Sequence, residues 1–293
     1  MKLVLTGSTG NVSKPLALDL IAKGHDVTII TTQQDKAATI QESGAKAAVG
    51  SISDLNFLSA AFAGAEAVYT MTPPNYGAPD YRSYMAGIGR DYANAISASG
   101  VKRVVNLSSI GAHLQDGTGP IKGIHDVEKI LNELAGVAIL HVRAGFFYTN
   151  LYANIDMIKH AGIIGSNYDA ATRLVMVHPD DIARKISENL TRPFNGKSFT
   201  YAASDIRTAK EVAATLGKAI GKPDLQWVKF TDEQSLQGML QAGMTGEIAS
   251  NFVEMGTATG SGILFEDFHK QDVSLGQIKL EQFAEEFALA YNL

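Results

Sequence analysis

The chain has 293 residues, 45% hydrophobic and 19% charged, with 28 glycines, 8 prolines, no cysteine and a formal charge of −5. This length and composition predict a globular protein with a main domain and a smaller appendage, and exclude a disordered or low-complexity chain. The acidic balance argues against a nucleic-acid partner, and the lack of cysteine excludes disulfides, thiolate metal sites and cysteine nucleophiles. The apolar run Leu3-Val4-Leu5 is too short for a signal peptide, and no run reaches ~18 apolar residues. We therefore expect a soluble cytoplasmic protein with no membrane partner.

The first half alternates short β-rich runs with helical patterns, the mark of a parallel sheet with crossover helices. In chain order the strands are Leu3–Leu5, Asp26–Thr31, Lys46–Val49, Ala67–Met71, Arg103–Leu107 and Ala138–Val142. Helices are expected from the glycine turn to near Gly24, with Leu16, Leu20 and Ile21 on one face, then over Lys36–Ser43, Tyr81–Ser99 and His125–Leu134. The strands read as continuous apolar runs, as expected for a sheet covered on both faces.

The second half is less regular. Arg173–Val177, Lys197–Tyr201 and Leu225–Phe230 read as strands, and Thr208-Ala209-Lys210-Glu211 is a capping box opening a helix to Ile220. Thr231 and Thr245 have the position of N-caps, and a last helix over Ile278–Tyr291 carries Leu280, Phe283, Phe287 and Tyr291 on one stripe. The expected fold is α/β, a doubly wound parallel-sheet Rossmann domain over residues 1–150. A smaller α/β substrate lobe follows over 151–293, with parts of 174–220 returning to the first domain.

Between the first strand and the first helix stands Thr6-Gly7-Ser8-Thr9-Gly10-Asn11, followed by Val12. Glycines in a strand–turn–helix permit a tight turn and close approach of backbone to a pyrophosphate, which the helix N-terminus then binds. Gly7 and Gly10 fill the first two glycine positions, and Ser13 stands at the third. The end of the second strand has no carboxylate for a ribose 2′-hydroxyl. It has Thr31, Thr32, Gln33 and Gln34, with Lys36 beyond, which favours NADP(H) over NAD(H).

The glycine turn, Ser108-Ser109 ending the fifth strand and Arg143-Ala144-Gly145-Phe146-Phe147-Tyr148-Thr149-Asn150 after the sixth together resemble the NmrA-like branch of the atypical short-chain dehydrogenase/reductase superfamily. The likeness extends through Val177-His178-Pro179-Asp180-Asp181-Ile182-Ala183. It implies that Ser51 and Ile52 flank the adenine, that Thr70, Met71 and Thr72 line the ribose and diphosphate, and that Ser108 lies beside them. Reductases of the superfamily use a Tyr, a Lys four residues later and a Ser after the fifth strand. Here Ser109 and Lys129 hold the last two positions, with Lys129 also expected on the nicotinamide ribose, and His125 replaces the Tyr. A spacing of four keeps His125 and Lys129 on one helical face, and imidazole can serve as proton donor.

Phe146, Phe147, Tyr148 and Asn150, with His178 from a later strand end, are the expected substrate contacts. No histidine spacing suggests a metal site. The resulting expectation is NAD(P)H-dependent hydride transfer to a quinone-like or other aromatic small molecule. A redox sensor without turnover is the alternative, and a sugar-nucleotide epimerase or dehydratase is disfavoured by the missing Tyr. The helices Tyr81–Ser99 and Ile278–Tyr291 are candidate faces for a homodimer.

Overall fold

The computed structural model describes residues 1–293. Seven strands, β1 (Lys2–Leu5), β2 (Asp26–Thr31), β3 (Lys46–Val49), β4 (Ala67–Thr70), β5 (Arg103–Ser109), β6 (Ala138–Ala144) and, much later, Lys197–Ala202, form one sheet. The last of these pairs with β6, giving the order Lys197–Ala202, β6, β5, β4, β1, β2, β3, with every pair parallel. The order reverses between β1 and β4, so a crevice opens at their carboxyl ends, where ligands bind such sheets.

The helices of this half are α1 (Ser13–Ala22), α2 (Lys36–Glu42), α3 (Leu55–Phe62), α4 (Tyr81–Ser99) and α5 (Ile121–Asn132). Leu3 and Leu5 face one apolar layer with Leu16 and Leu20 of α1, while Val4 faces the other with Leu58 of α3 and Tyr92 of α4. The alternation of the pleat thus feeds two cores. Two features depart from the sequence reading. Helix α3 was not anticipated; Asp54 caps it by accepting from the Phe57 N–H. Helix α5 begins at Ile121, four residues before His125, because Pro120 precedes its first turn and Gly123 is accommodated inside it. A Cβ at Gly123 would stand 2.7 Å from that of Met85, so the glycine lets α4 and α5 close together.

Beyond β6 come β7 (Phe146–Phe147), a 3-10 turn over Tyr148–Asn154, α6 (Ile155–Ala161), β8 (Ile164–Ser166), β9 (Arg173–Val177) and α7 (Pro179–Leu190). The strand Lys197–Ala202 is β10, followed by β11 (Asp205–Thr208), α8 (Ala209–Ala219), β12 (Trp227–Lys229), α9 (Asp232–Gln241), α10 (Gly246–Ser261) and α11 (Leu280–Tyr291). Helix α7 packs on α1 against the main sheet. The strands β11, β9 and β7 make a three-stranded sheet, and β12 pairs with β8. Thr208, Thr231 and Thr245 cap α8, α9 and α10. Leu280, Phe283 and Phe287 of α11 enter the core of this second layer. No helix is long and apolar enough to cross a membrane.

Candidate functional site

Two cavities occupy the carboxyl end of the main sheet. The first is a cleft of ≈ 380 Å³ at the topological crevice, with Gly7 and Ser8 lining it. Gly7 has φ +89°, and a Cβ there would lie 2.4 Å from Ser13 Oγ and 2.9 Å from Met71 Cγ, so glycine is required on both counts. Ser13 Oγ donates to the Thr6 carbonyl at 2.9 Å, which ties the first turn of α1 to the end of β1. No side chain caps α1; the Lys14 N–H donates to the Gly10 carbonyl at 3.0 Å and Pro15 has no N–H, so the groups left available to an anion are the N–H groups of Asn11, Val12 and Ser13 at the helix start. Thr6 Oγ1 accepts from the Met71 N–H at 2.9 Å, clamping the ends of β1 and β4 together. Thr9, Gly10 and Asn11 continue the turn at the surface, whereas Val12 is core.

Thr31 and Thr32 line one side of the cleft with Ser51 and Ile52; Met71 and the α4 residues Tyr84, Ile88 and Tyr92 line the other. Ser8 Oγ donates to Thr31 Oγ1 at 2.9 Å, so the β2 end is fixed to the glycine turn without a carboxylate. Lys36 starts α2, half-buried and outside this lining. Thr70 is buried with its hydroxyl donating to Asn106 Oδ1 at 3.0 Å, directed into the protein rather than the cleft. The Thr72 hydroxyl is buried with no partner. The unpaired N–H groups at the start of α1 and the cradle at Gly7 fit a dinucleotide, whereas Thr72, expected on the ribose and diphosphate, lies outside the cleft lining.

The second cavity, ≈ 390 Å³, lies at the ends of β5 and β6 and is lined by Ser108, Ser109, Phe146, Phe147 and Asn150. The second layer supplies the opposite wall: Tyr168, Trp227 of β12, Met239 of α9, Phe252 and Met255 of α10, and Phe265. Trp227 stacks on Tyr168 with ring centroids 5.1 Å apart, and its indole N–H donates to the Tyr168 carbonyl at 3.0 Å. Ser109 Oγ donates to the Ile110 carbonyl at 2.9 Å. Ser108 Oγ donates to Glu128 Oε1 at 2.5 Å, and Glu128 also accepts a two-pronged contact from Arg143 at 3.0 and 2.7 Å. Burial opposes ionisation of Glu128, but the hydrogen bonds and charge of Arg143 hold its carboxyl below the ordinary range.

The expected catalytic set is not brought together. His125 and Lys129 line a separate polar cleft with His113, Asn132, Arg143 and Phe199, and His125 Nδ1 sits 2.9 Å from the Ala112 carbonyl. Neither lines the cavity that holds Ser109. Tyr148 is wholly buried and stacked on Phe283 at 5.3 Å, a core ring of the second layer. His178 is the N-cap of α7: its Nδ1 accepts from the Asp180 N–H at 3.1 Å, and its Nε2 lies 3.3 Å from Glu286 Oε1. No group of His, Asp or Glu side chains is arranged to hold a metal. The wall from Tyr168 to Phe265 was not anticipated; the one available signal was the single tryptophan, Trp227, in a strand already read from the sequence.

A model of the NmrA-like family matches residues 1–284. The chain belongs to the NmrA-like family. Among its relatives is an NAD(P)H azoreductase of Xenophilus azovorans, 24% identical over 254 residues, covering 86% of this chain and 85% of that one. Two solved structures share the whole fold of this NmrA-like protein. One is a nucleoside-diphosphate-sugar epimerase from Staphylococcus aureus (TM-score 0.79, 18% identity, covering 97% of this chain and 100% of that one). The other is an NADPH-dependent quinone oxidoreductase from Escherichia coli (TM-score 0.78, 19% identity, 97% and 98%).

Proposed function

We propose that this protein is an NAD(P)H-dependent reductase of quinone-like or azo aromatic acceptors. The observation that carries the reading is the open, aromatic-walled cavity of ≈ 390 Å³ at the ends of β5 and β6, next along the sheet from the dinucleotide cleft. A redox sensor has no need of such a cavity. Residues between Trp227 and Phe265 wall it instead of filling it, which favours turnover. The names of the azoreductase and quinone oxidoreductase relatives agree with this reading. An epimerase is disfavoured because α5 carries no tyrosine.

In this reading the N–H groups of Asn11, Val12 and Ser13 and the backbone at Gly7 hold the diphosphate, and the carboxylate-free β2 end at Thr31 and Thr32 accepts a 2′-phosphate, favouring NADP(H). The bound nicotinamide supplies a hydride. Phe146, Phe147, Trp227 and Phe252 hold a flat acceptor by apolar and ring contacts and exclude water from its face. Asn150, whose side chain has no partner within the protein, is the polar group placed to orient its heteroatom. His125 and Lys129, opening on another cleft, take no part.

The test is NADPH and NADH oxidation, followed optically, against a panel of quinones and azo dyes. Turnover with NADPH is expected, and slower turnover with NADH. Tight NADP binding without turnover of any acceptor refutes the reductase reading.

A further inference from the structure

None of the residues lining the acceptor cavity is Asp, Glu, Lys, Arg or His. Glu128, which accepts from Ser108, is paired with Arg143 at 2.7 Å, and Lys229 beside Trp227 is paired with Asp169 at 2.8 Å, so neither pair presents a free charge. His113, His125, Lys129 and Asp267 open on a different cleft. Several polar side chains at the wall already donate to fixed partners: Ser108 to Glu128, Ser109 to the Ile110 carbonyl, Asn154 to the Leu151 carbonyl and Thr259 to the Met255 carbonyl. Tyr168 is the one lining side chain with an ionisable group, and burial pushes its phenol well above the ordinary value.

Building on the reductase reading, we propose that this cavity selects uncharged aromatic acceptors and rejects anionic ones, and that the proton of the reaction comes from water. A sulfonate or carboxylate placed here would lose its hydration and gain no counter-charge, a large penalty for an unpaired buried ion. A neutral quinone loses little hydration and gains ring contacts. The balance needs no protein acid. The quinone receives a hydride, two electrons and one proton, as the nicotinamide is oxidised. Water protonates the hydroquinone oxygen as the hydride arrives, and hydroxide is left in solvent, so no unpaired anion is held in the cavity.

Trp227 is the sole tryptophan and stands in the cavity wall, so its fluorescence reports occupancy independently of turnover. The experiment titrates the full-length protein with 1,4-naphthoquinone and with a naphthoquinone sulfonate, reading Trp227 quenching corrected for absorption. At least about 100-fold tighter binding of the neutral ring is expected, given the cost of burying an unpaired ion. Comparable quenching by both, or no saturable quenching by the neutral quinone, overturns the proposal. Met239→Lys on the half-exposed face of α9 supplies the missing cation and should tighten sulfonate binding at least about tenfold; an unchanged sulfonate affinity also counts against the proposal. Turnover is read separately. Discriminating quenching without turnover of any acceptor sinks the reductase reading while leaving the charge selection of the cavity intact.

Discussion

His141 allows a pH prediction with a defined sign. It lies in β6, 2% exposed, in a chain of side chains that crosses three strands. Thr70 donates to Asn106 Oδ1 at 3.0 Å; Asn106 Nδ2 then faces His141 Nδ1 at 3.1 Å, and His141 Nε2 meets Asn132 Oδ1 at 3.1 Å. Because Thr70 fixes the Asn106 oxygen, its amide nitrogen must donate to Nδ1, and the ring is neutral with its proton on Nε2. Burial pushes the His141 pKa down to about 4, with Glu128 opposing the shift and Arg143 and Lys197 adding to it. Unfolded, the ring titrates near about 6.5. Between these values the unfolded chain binds a proton that the folded protein does not, so stability falls as pH drops from about 6.5 towards 4. The loss between pH 7 and pH 5 comes to about 2 kcal/mol from this group alone. Denaturant unfolding of the wild type and of His141→Gln across that range measures it. The glutamine has no titration there, so its stability curve should be flatter by about 2 kcal/mol. Parallel curves for the two proteins would refute the assignment of a neutral buried ring.

The dinucleotide cradle and the displaced catalytic pair give two more tests. Gly7→Ala forces a side chain into Ser13 and Met71 at positive φ and should weaken NADPH binding at least about tenfold in a fluorescence titration, with the fold retained by circular dichroism; unchanged affinity would count against the cradle. His125→Ala and Lys129→Ala should each leave kcat within about threefold of wild type, since a working general acid contributes about 100-fold or more. A loss of that size in either variant would return the pair to the reaction.

Most of the main sheet was legible because its strands are continuous apolar runs and its turns are marked by glycine. The limits of β2, β3, α4 and β9 follow the sequence reading residue for residue. Helix α3 was missed because its eight residues are too few to show a stable apolar period, and its cap, Asp54, sits in a polar stretch like any loop. The start of α5 was missed because Gly117, Gly119, Pro120 and Gly123 read as a loop. Two of these glycines have tertiary roles: Gly123 meets Met85, and a Cβ on Gly119 would collide with the Asn251 carbonyl of α10. Such contacts have no local signature.

The same packing explains why strand-end site residues were easier to place than helical ones. A residue at the carboxyl end of a parallel strand is delivered to the crevice by topology, as Gly7, Thr32, Ser51, Ser109 and Phe147 are. For a residue on a helix, spacing decides only which side chains share a face; the direction of that face is set by its neighbours. His125 and Lys129 do share one. Helix α5 is turned by its contact with α4, where Gly123 lies on Met85 and Gly89 on Val127. His125 and Lys129 each stand two residues beyond those contact positions, about 200° around the helix, and so point nearly opposite to α4. Since α4 supplies the cleft wall through Tyr84, Ile88 and Tyr92, a pair aimed away from α4 is aimed away from that cleft. In the proposed reaction the missing tyrosine therefore has no substitute at His125, and the cavity's own uncharged wall leaves the proton to solvent.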